Sequence, residues 1–235
     1  MKILVTGGLG FIGSHTVVEL QAEGFEVVII DDCSNASESV LDGIVATSGV
    51  RPHFEKLDLK VKEDVLDFFD RHPDLNGVIH FAASKAVGES VEKPLLYYEN
   101  NLNTLIYLLQ CLSKKEKASF IFSSSCTVYG QADEMPITED APVKPAESPY
   151  GNTKQIGEEI LKDSCRVSPQ LQVVALRYFN PIGAHPSVNI GELPIGVPQN
   201  LVPFITQTAA GLRDKLSVFG NDYPTPDGTC IRDYI

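Results

Sequence analysis

Tyr150-Gly151-Asn152-Thr153-Lys154 sets a phenol and an amine four residues apart. Pro149 precedes them and marks a helix start, so the two side chains share one helical face. A phenol with an ordinary pKa of about 10 is a poor base at neutral pH. A neighbouring ammonium favours the phenolate, and a base poised near the working pH is what proton abstraction needs. Ser125 closes the run Ser123-Ser124-Ser125, just after the apolar segment Ala118 to Phe122. Its hydroxyl can donate to or accept from the same substrate hydroxyl. Alone, the tyrosine–lysine spacing is a frequent chance match on helices, and its ordinary meaning is a solvated pair. Its weight depends on what the rest of the chain places beside it.

The amino-terminal stretch Thr6-Gly7-Gly8-Leu9-Gly10-Phe11-Ile12-Gly13 supplies that context. It follows the strand-like run Ile3-Leu4-Val5 and precedes a helical segment from Ser14 to Leu20. Gly8, Gly10 and Gly13 fit G-x-G-x-x-G between strand and helix, where one glycine turns the chain, one admits a pyrophosphate and one packs helix on strand. The helix N-terminus offers free N–H groups to phosphates. A second strand, Phe25 to Ile30, ends in Asp31-Asp32. Asp31 stands about 20 residues past the glycines, where a carboxylate accepts from the adenine-side ribose hydroxyls. It would repel a 2′-phosphate, so the expected cofactor is NAD and not NADP. A positive nicotinamide ring would further favour the Tyr150 phenolate.

The elements that must carry these groups alternate. The polar turn Ser34 to Ser37 is expected to cap the next helix. His53 to Leu57 reads as a strand ending at Asp58, and Lys62 to Arg71 as an amphipathic helix. Gly77 to Phe81 is a fourth strand, followed by the small residues Ala82-Ala83-Ser84. His80 lies inside it and reads as a packed histidine. Pro94 to Cys111 forms a long helix with Asn100-Asn101 in its middle, either facing solvent or reaching the cofactor. Ala118 to Phe122, Tyr150 to Cys165 and Leu171 to Leu176 continue the alternation. The fold class is α/β, a doubly wound parallel sheet of Rossmann type. Prolines crowd the chain after Arg177, with one helix near Gln199 to Gly211. The expected domains are 1–178 for the dinucleotide and 179–235 for a smaller, incomplete substrate-binding domain.

With 235 residues, 43% hydrophobic and 21% charged, the chain can bury a large core. A net charge of −12 disfavours nucleic acid and anionic membrane as partners. No apolar run approaches the roughly 20 residues needed to span a bilayer. No signal peptide is expected, because Met1-Lys2 leads straight into a strand. The five cysteines, Cys33, Cys111, Cys126, Cys165 and Cys230, are scattered without a C-x-x-C pair. They read as reduced thiols of a cytoplasmic protein, and no metal site is expected.

The glycine motif, Asp31, Ser125, Tyr150 and Lys154 together resemble the extended short-chain dehydrogenase/reductases. Longer motifs resemble their UDP-glucose 4-epimerase family: Lys85 to Ser90, Ser123 to Gly130, Arg177 to Pro181, Gly183 to His185, Phe219 to Pro224 and Asp227 to Tyr234. The resemblance implies interconversion of UDP-glucose and UDP-galactose by a homodimer holding NAD. Ser125, Tyr150 and Lys154 would be catalytic, with Tyr150 taking the proton of the sugar 4-hydroxyl. Hydride would leave C4 for NAD and return to the other face of a 4-keto sugar. Carried over by motif, Gly7, Gly10, Phe11, Ile12, Gly13, Asp31, Asp32, Cys33, Ser34, Asn35, Ala36, Asp58, Leu59, Phe81, Ala82, Ala83, Ser84, Lys85, Asn100 and Phe179 would join the catalytic trio in lining the NAD site. Asn180, Asn200, Leu201, Ser217, Val218, Phe219 and Arg232 would hold the UDP-sugar with Ser125 and Tyr150. A guanidinium such as Arg232 suits a pyrophosphate.

Two departures accompany the resemblance. Ala83-Ser84 replaces a Gly-Leu pair, and Cys126 stands where alanine is common. A 4,6-dehydratase of the same fold carries an Asp-Glu pair just before Val-Tyr-Gly, and decarboxylating relatives carry Glu there. Here those positions are Cys126 and Thr127, which argues against elimination and decarboxylation. A serine hydrolase would need a G-x-S-x-G elbow, which is absent. A non-catalytic NAD-binding protein would have no use for the complete Ser125, Tyr150 and Lys154 set.

Overall fold

The apolar runs of the chain form six strands: β1 (Lys2–Thr6), β2 (Glu26–Asp31), β3 (His53–Lys56), β4 (Leu75–His80), β5 (Ala118–Ser125) and β6 (Leu171–Tyr178). In this computed structural model, which describes residues 1–235, they make one sheet in the order β3-β2-β1-β4-β5-β6. Every neighbouring pair is parallel. All six carboxyl ends therefore lie along one edge. The strand order reverses between β1 and β4, which opens a crevice at that edge, the usual ligand site of such sheets.

Both faces of the central strands are covered, so those strands are apolar at consecutive positions and not only at alternate ones, while the edge strand β6 leaves Val174 and Leu176 exposed. Leu4, Val28, Ile30, Val78, Phe120 and Phe122 face one core. It is closed by α3 (Lys62–Arg71), α5 (Pro94–Leu112) and α6 (Pro149–Val167). Ile3, Val5, Val27, Ile29 and Ile79 face the other. There they meet α1 (Phe11–Ala22) and α2 (Val40–Ser48). The remaining helices are α4 (Val87–Glu92) and α7 (Leu201–Ala209).

Several boundaries differ from those expected. Helix α1 begins at Phe11 and not at Ser14, because the glycine turn leads directly into it. Strand β5 continues through the three serines, since its pairing with β6 runs on to Ser125 opposite Tyr178. Ser34 to Ser37 does not cap α2. That helix opens after Ser39 without a side-chain cap, and the Ser37 hydroxyl accepts instead from the Ser39 amide at 3.2 Å. The short helix α4 was not foreseen. Beyond β6, Asn180 bridges in parallel to Tyr234, so the last residues run beside the chain leaving the sheet.

At the edge strand, the Glu55 carboxylate accepts both guanidinium nitrogens of Arg71, at 2.8 and 2.7 Å. His53 and His72 approach the same carboxylate at 3.1 and 2.9 Å. The Arg71 hydrogen bonds hold its pKa down to about 2. A carboxyl whose pKa falls on folding adds stability above its unfolded value, and that stability is lost as pH falls toward the folded one. Glu55→Gln should therefore unfold more easily by about 1–2 kcal/mol at pH 7. The difference from wild type should shrink between pH 4.5 and about 2 in urea titrations; a gap independent of pH would refute the ion pair's part.

Gly13 leaves no room for a side chain, since a Cβ there would lie 2.2 Å from the Gly7 carbonyl oxygen. The obstacle is backbone and cannot swing aside. Gly13→Ala should lower unfolding free energy by about 2 kcal/mol or more. Gly88→Ala, which meets nothing within 4 Å, is the control and should not.

Candidate active site

The nucleotide cradle is built where β1 turns into α1. Gly7 takes the left-handed conformation, with φ of 68°. A Cβ at Gly7 would come within 2.8 Å of the Ala82 amide nitrogen. The tight turn thus belongs to Gly7, one residue before the first glycine of the G-x-G-x-x-G match. Gly8 serves packing, because a Cβ there would strike the Ile29 side chain at 2.8 Å. Gly10 is the helix N-cap and Ser14 makes the first bond back to its carbonyl, at 2.9 Å. The amides of Phe11, Ile12 and Gly13 before it have no acceptor inside the helix and suit an anion.

Buried Asp31 ties this turn to the end of β2. Its carboxylate accepts from the Leu9 amide at 3.1 Å and the Cys33 amide at 3.0 Å. Burial pushes its pKa up, and the two amides pull the other way. Each oxygen keeps a lone pair for a further donor. Asp32 accepts from the amide and hydroxyl of Ser34, at 2.9 and 2.6 Å, while Cys33 between them has φ of 58°. Asn35 is exposed and Ala36 buried; Asp58 accepts from the Lys60 amide at 2.9 Å, above buried Leu59.

Across the crevice, Phe81 to Ser84 are partly buried and held from two sides. Phe81 N–H donates to the Thr6 carbonyl at 3.1 Å and Ala82 N–H to the Thr6 hydroxyl at 3.3 Å. That hydroxyl pairs with His80 at 2.7 Å. Burial holds the His80 pKa down to about 3, so the ring is neutral and structural. The Asn101 carbonyl accepts from the Ser84 amide at 2.8 Å, its amide group donates back to the Ser84 carbonyl at 3.0 Å, and Asn100 donates to the Ser84 hydroxyl at 2.6 Å. Of the two readings left open for the pair, neither residue is free in solvent. Asn101 is the buried one, and sequence reasoning had no role for it.

The third wall is α6. Its N-cap Ser148 accepts from the Gly151 amide at 3.1 Å. One turn separates Tyr150 from Lys154, and both face the end of β5. Ser125 neighbours the Tyr150 phenol. Burial raises the phenol and Ser125 opposes that rise. Lys154 is 4% exposed. Its ammonium donates to the Ser123 carbonyl at 2.8 Å and sits 5.7 Å from the Tyr150 ring centre. Burial brings the Lys154 pKa down to about 8. The phenol shifts upward through burial, against the lowering expected from the ammonium. Tyr150 and Lys154 share one face of α6 as their spacing implied, and Ser125 neighbours the phenol.

The remaining residues expected around a substrate are more dispersed. Asn180 donates to the Asp233 carbonyl at 2.6 Å, and Phe179 is partly buried beside it. Asn200 donates to Glu192, which stands 3.8 Å from Lys85. Leu201, Ser217, Val218, Phe219 and Arg232 are exposed. The Arg232 guanidinium meets the Ile231 carbonyl at 2.7 Å. Two further groups at the site were given no role in the sequence, Glu158 and Arg177, although Arg177 opens one of the quoted motifs. Glu158 lies one turn beyond Lys154, which was the available signal.

The profile of the NAD dependent epimerase/dehydratase family matches residues 3–235. A UDP-glucose 4-epimerase of Bacillus subtilis (strain 168) is 50% identical over 235 residues, covering 100% of this chain and 69% of the relative. One of Cyamopsis tetragonoloba is 49% identical over 236 residues, covering 99% of this chain and 67% of the relative. The crystal structure of UDP-glucose 4-epimerase from Bifidobacterium longum, in complex with NAD+ and UDP, superposes with a TM-score of 0.96 at 43% identity. It covers 100% of this chain and 70% of that one. With a glycine turn, a buried carboxylate at the end of β2 and a serine–tyrosine–lysine trio at one sheet edge, the chain belongs to the NAD dependent epimerase/dehydratase family.

Proposed function

We propose that this chain interconverts UDP-glucose and UDP-galactose by inverting sugar C4, with NAD as its cofactor. The observation that carries the reading is the convergence of Tyr150, Ser125 and Lys154 at the sheet edge that also carries the Gly7–Gly13 turn, on a chain half identical to UDP-glucose 4-epimerases. The cradle fits a dinucleotide: free amides at Phe11 and Ile12 take the pyrophosphate, and Asp31 takes the adenine-side ribose. Phe81, Ala82, Ala83, Ser84, Lys85, Asn100 and Phe179 line the nicotinamide side. When bound, NAD would supply hydride-acceptor chemistry at sugar C4 and, once reduced, hydride-donor chemistry there, with the residues above holding it.

Tyr150 holds and moves the proton of the sugar 4-hydroxyl at its phenolic oxygen. Ser125 orients that hydroxyl and keeps the phenol from rising further. Lys154 stabilises the phenolate by charge and holds the end of β5 through the Ser123 carbonyl. Cys126 and Thr127 offer no carboxylate, so proton removal at C5 and loss of water at C6 lack an acid and a base. This disfavours the dehydratase half of the family. On the substrate side, Asn180, Asn200, Leu201, Ser217 to Phe219 and Arg232 bind the UDP-sugar, and residues 179–235 form part of its domain.

No helix is long and apolar enough to cross a membrane. We further infer a cytoplasmic homodimer paired through the helices α5 and α6, for which exposed Leu95 and Leu96 supply apolar surface.

Tyr150→Phe should lower turnover by about 10³-fold or more while NAD is still released on denaturing the purified protein. A coupled assay of UDP-galactose conversion with mass spectrometry of released ligand reads both; turnover within tenfold of wild type would remove the base. With Lys154 at a pKa of about 8, kcat/KM should fall above that pH as the ammonium is lost. Lys154→Arg should carry that alkaline limb upward, and a limb that stays in place would assign it to another group.

A further inference from the structure

Glu158 stands on α6 one turn beyond Lys154 and two turns beyond Tyr150, so the three side chains follow one stripe of the helix. Its Oε1 accepts from the Ser124 hydroxyl at 2.5 Å and from Arg177 Nε at 3.0 Å. Its Oε2 accepts from the other arm of the same guanidinium at 2.7 Å. The pair is largely shielded, with side chains 18% and 23% exposed. Arg177 lies on β6, opposite Ser124 in the strand register. Its guanidinium also covers the Tyr129 ring at 4.7 Å, at the end of the 3-10 turn that follows Ser125. One carboxylate therefore joins the helix that carries Tyr150 and Lys154 to the strand end that carries Ser125, to the neighbouring strand and, through Arg177, to the turn beyond.

Helix α6 has little freedom elsewhere. A Cβ at Gly157 would meet the Phe122 ring at 2.8 Å, so helix and strand already touch below the site. Above that contact, two polar ties set the helix along β5: Lys154 to the Ser123 carbonyl and Glu158 to the Ser124 hydroxyl. We propose that Glu158, held by Arg177, is a positioning residue that sets the Tyr150 phenol against the Ser125 hydroxyl. This rests on the epimerase reading of the site. A shift on the order of 1 Å in such an alignment is enough to slow a reaction severely. Ser125 is also what opposes the upward pull of burial on the phenol. Loosening the clamp therefore raises the pH at which Tyr150 becomes phenolate.

The test compares wild type, Glu158→Gln and Ser124→Ala, each purified as the full chain with its bound cofactor. Glu158→Gln should lower kcat about tenfold or more with less than about a threefold change in KM for the UDP-sugar. The acid limb of its kcat–pH profile should move upward by about half a unit or more. Ser124→Ala, which leaves the ion pair with Arg177 in place, should move the limb the same way by less. The phenol is read without turnover by ultraviolet tyrosinate titration, taken as the difference from the same background carrying Tyr150→Phe. An upward shift of that difference titration in Glu158→Gln supports the clamp even if wild type does not convert UDP-galactose, an outcome that would sink the epimerase reading alone. A lowered melting temperature with neither the limb nor the titration displaced would make the pair a structural brace and overturn the proposal. Unchanged kcat in Glu158→Gln would overturn it equally.

Discussion

The ammonium of Lys154 is out of water and hydrogen-bonds a neutral acceptor, the Ser123 carbonyl at 2.8 Å. Removing a charge from solvent is expensive unless it is partnered. The Phe122 ring, 4.9 Å beneath, adds a cation–π contact. Those two partners belong to the last turns of β5, so α6 is confined to one phase and one height against that strand. The same placement sets Tyr150 at Ser125 and Glu158 at Ser124. A helix rotated by one residue would lose all three contacts together. Gly157 permits the approach, since any side chain there would push the helix away from Phe122.

A second joint closes the crevice from the other side. Thr6, at the end of β1, uses its carbonyl and hydroxyl to hold the chain leaving β4 at Phe81 and Ala82, and neutral His80 completes the contact. Gly7 can lie against Ala82 because it lacks a side chain. Asp31 then anchors the middle of the turn by accepting from Leu9. The glycine loop is thus fixed by three strands before any ligand arrives. Such preorganisation spares the ordering cost that a mobile loop would incur on binding. Asn101 does the corresponding work for Ser84, from a helix that also meets Thr153 of α6 at 3.1 Å. The two joints therefore share a component, and the two walls of the crevice are connected through α5.

The parallel sheet and its glycine turn were legible because buried strands and tight turns leave local traces. Ile3-Leu4-Val5 followed by the glycines could be read with no knowledge of the neighbours. Tyr150 and Lys154 were legible for the same reason, as i and i+4 positions of one helix. Asn101, Glu158 and Arg177 were not. Their partners lie far away in the chain: Asn101 with Ser84 and Thr153, Glu158 with Ser124 and Arg177. A polar residue within a helix looks the same in sequence whether it faces water or a buried hydroxyl. Which glycine turns the chain was left open by the motif, and the structure gives that place to Gly7.

Sequence alone determined the alternation of strands and helices, the glycine turn, the carboxylate after the second strand and the serine–tyrosine–lysine set, because each depends on residue type and short spacing. The tertiary structure decided how those pieces bear on one another. It made His80 a neutral brace, gave the lysine ammonium to the Ser123 carbonyl and let burial raise the phenol that the ammonium was expected to lower. Desolvation is the physical reason. It depends on everything packed around a group, and short-range spacing carries no record of that.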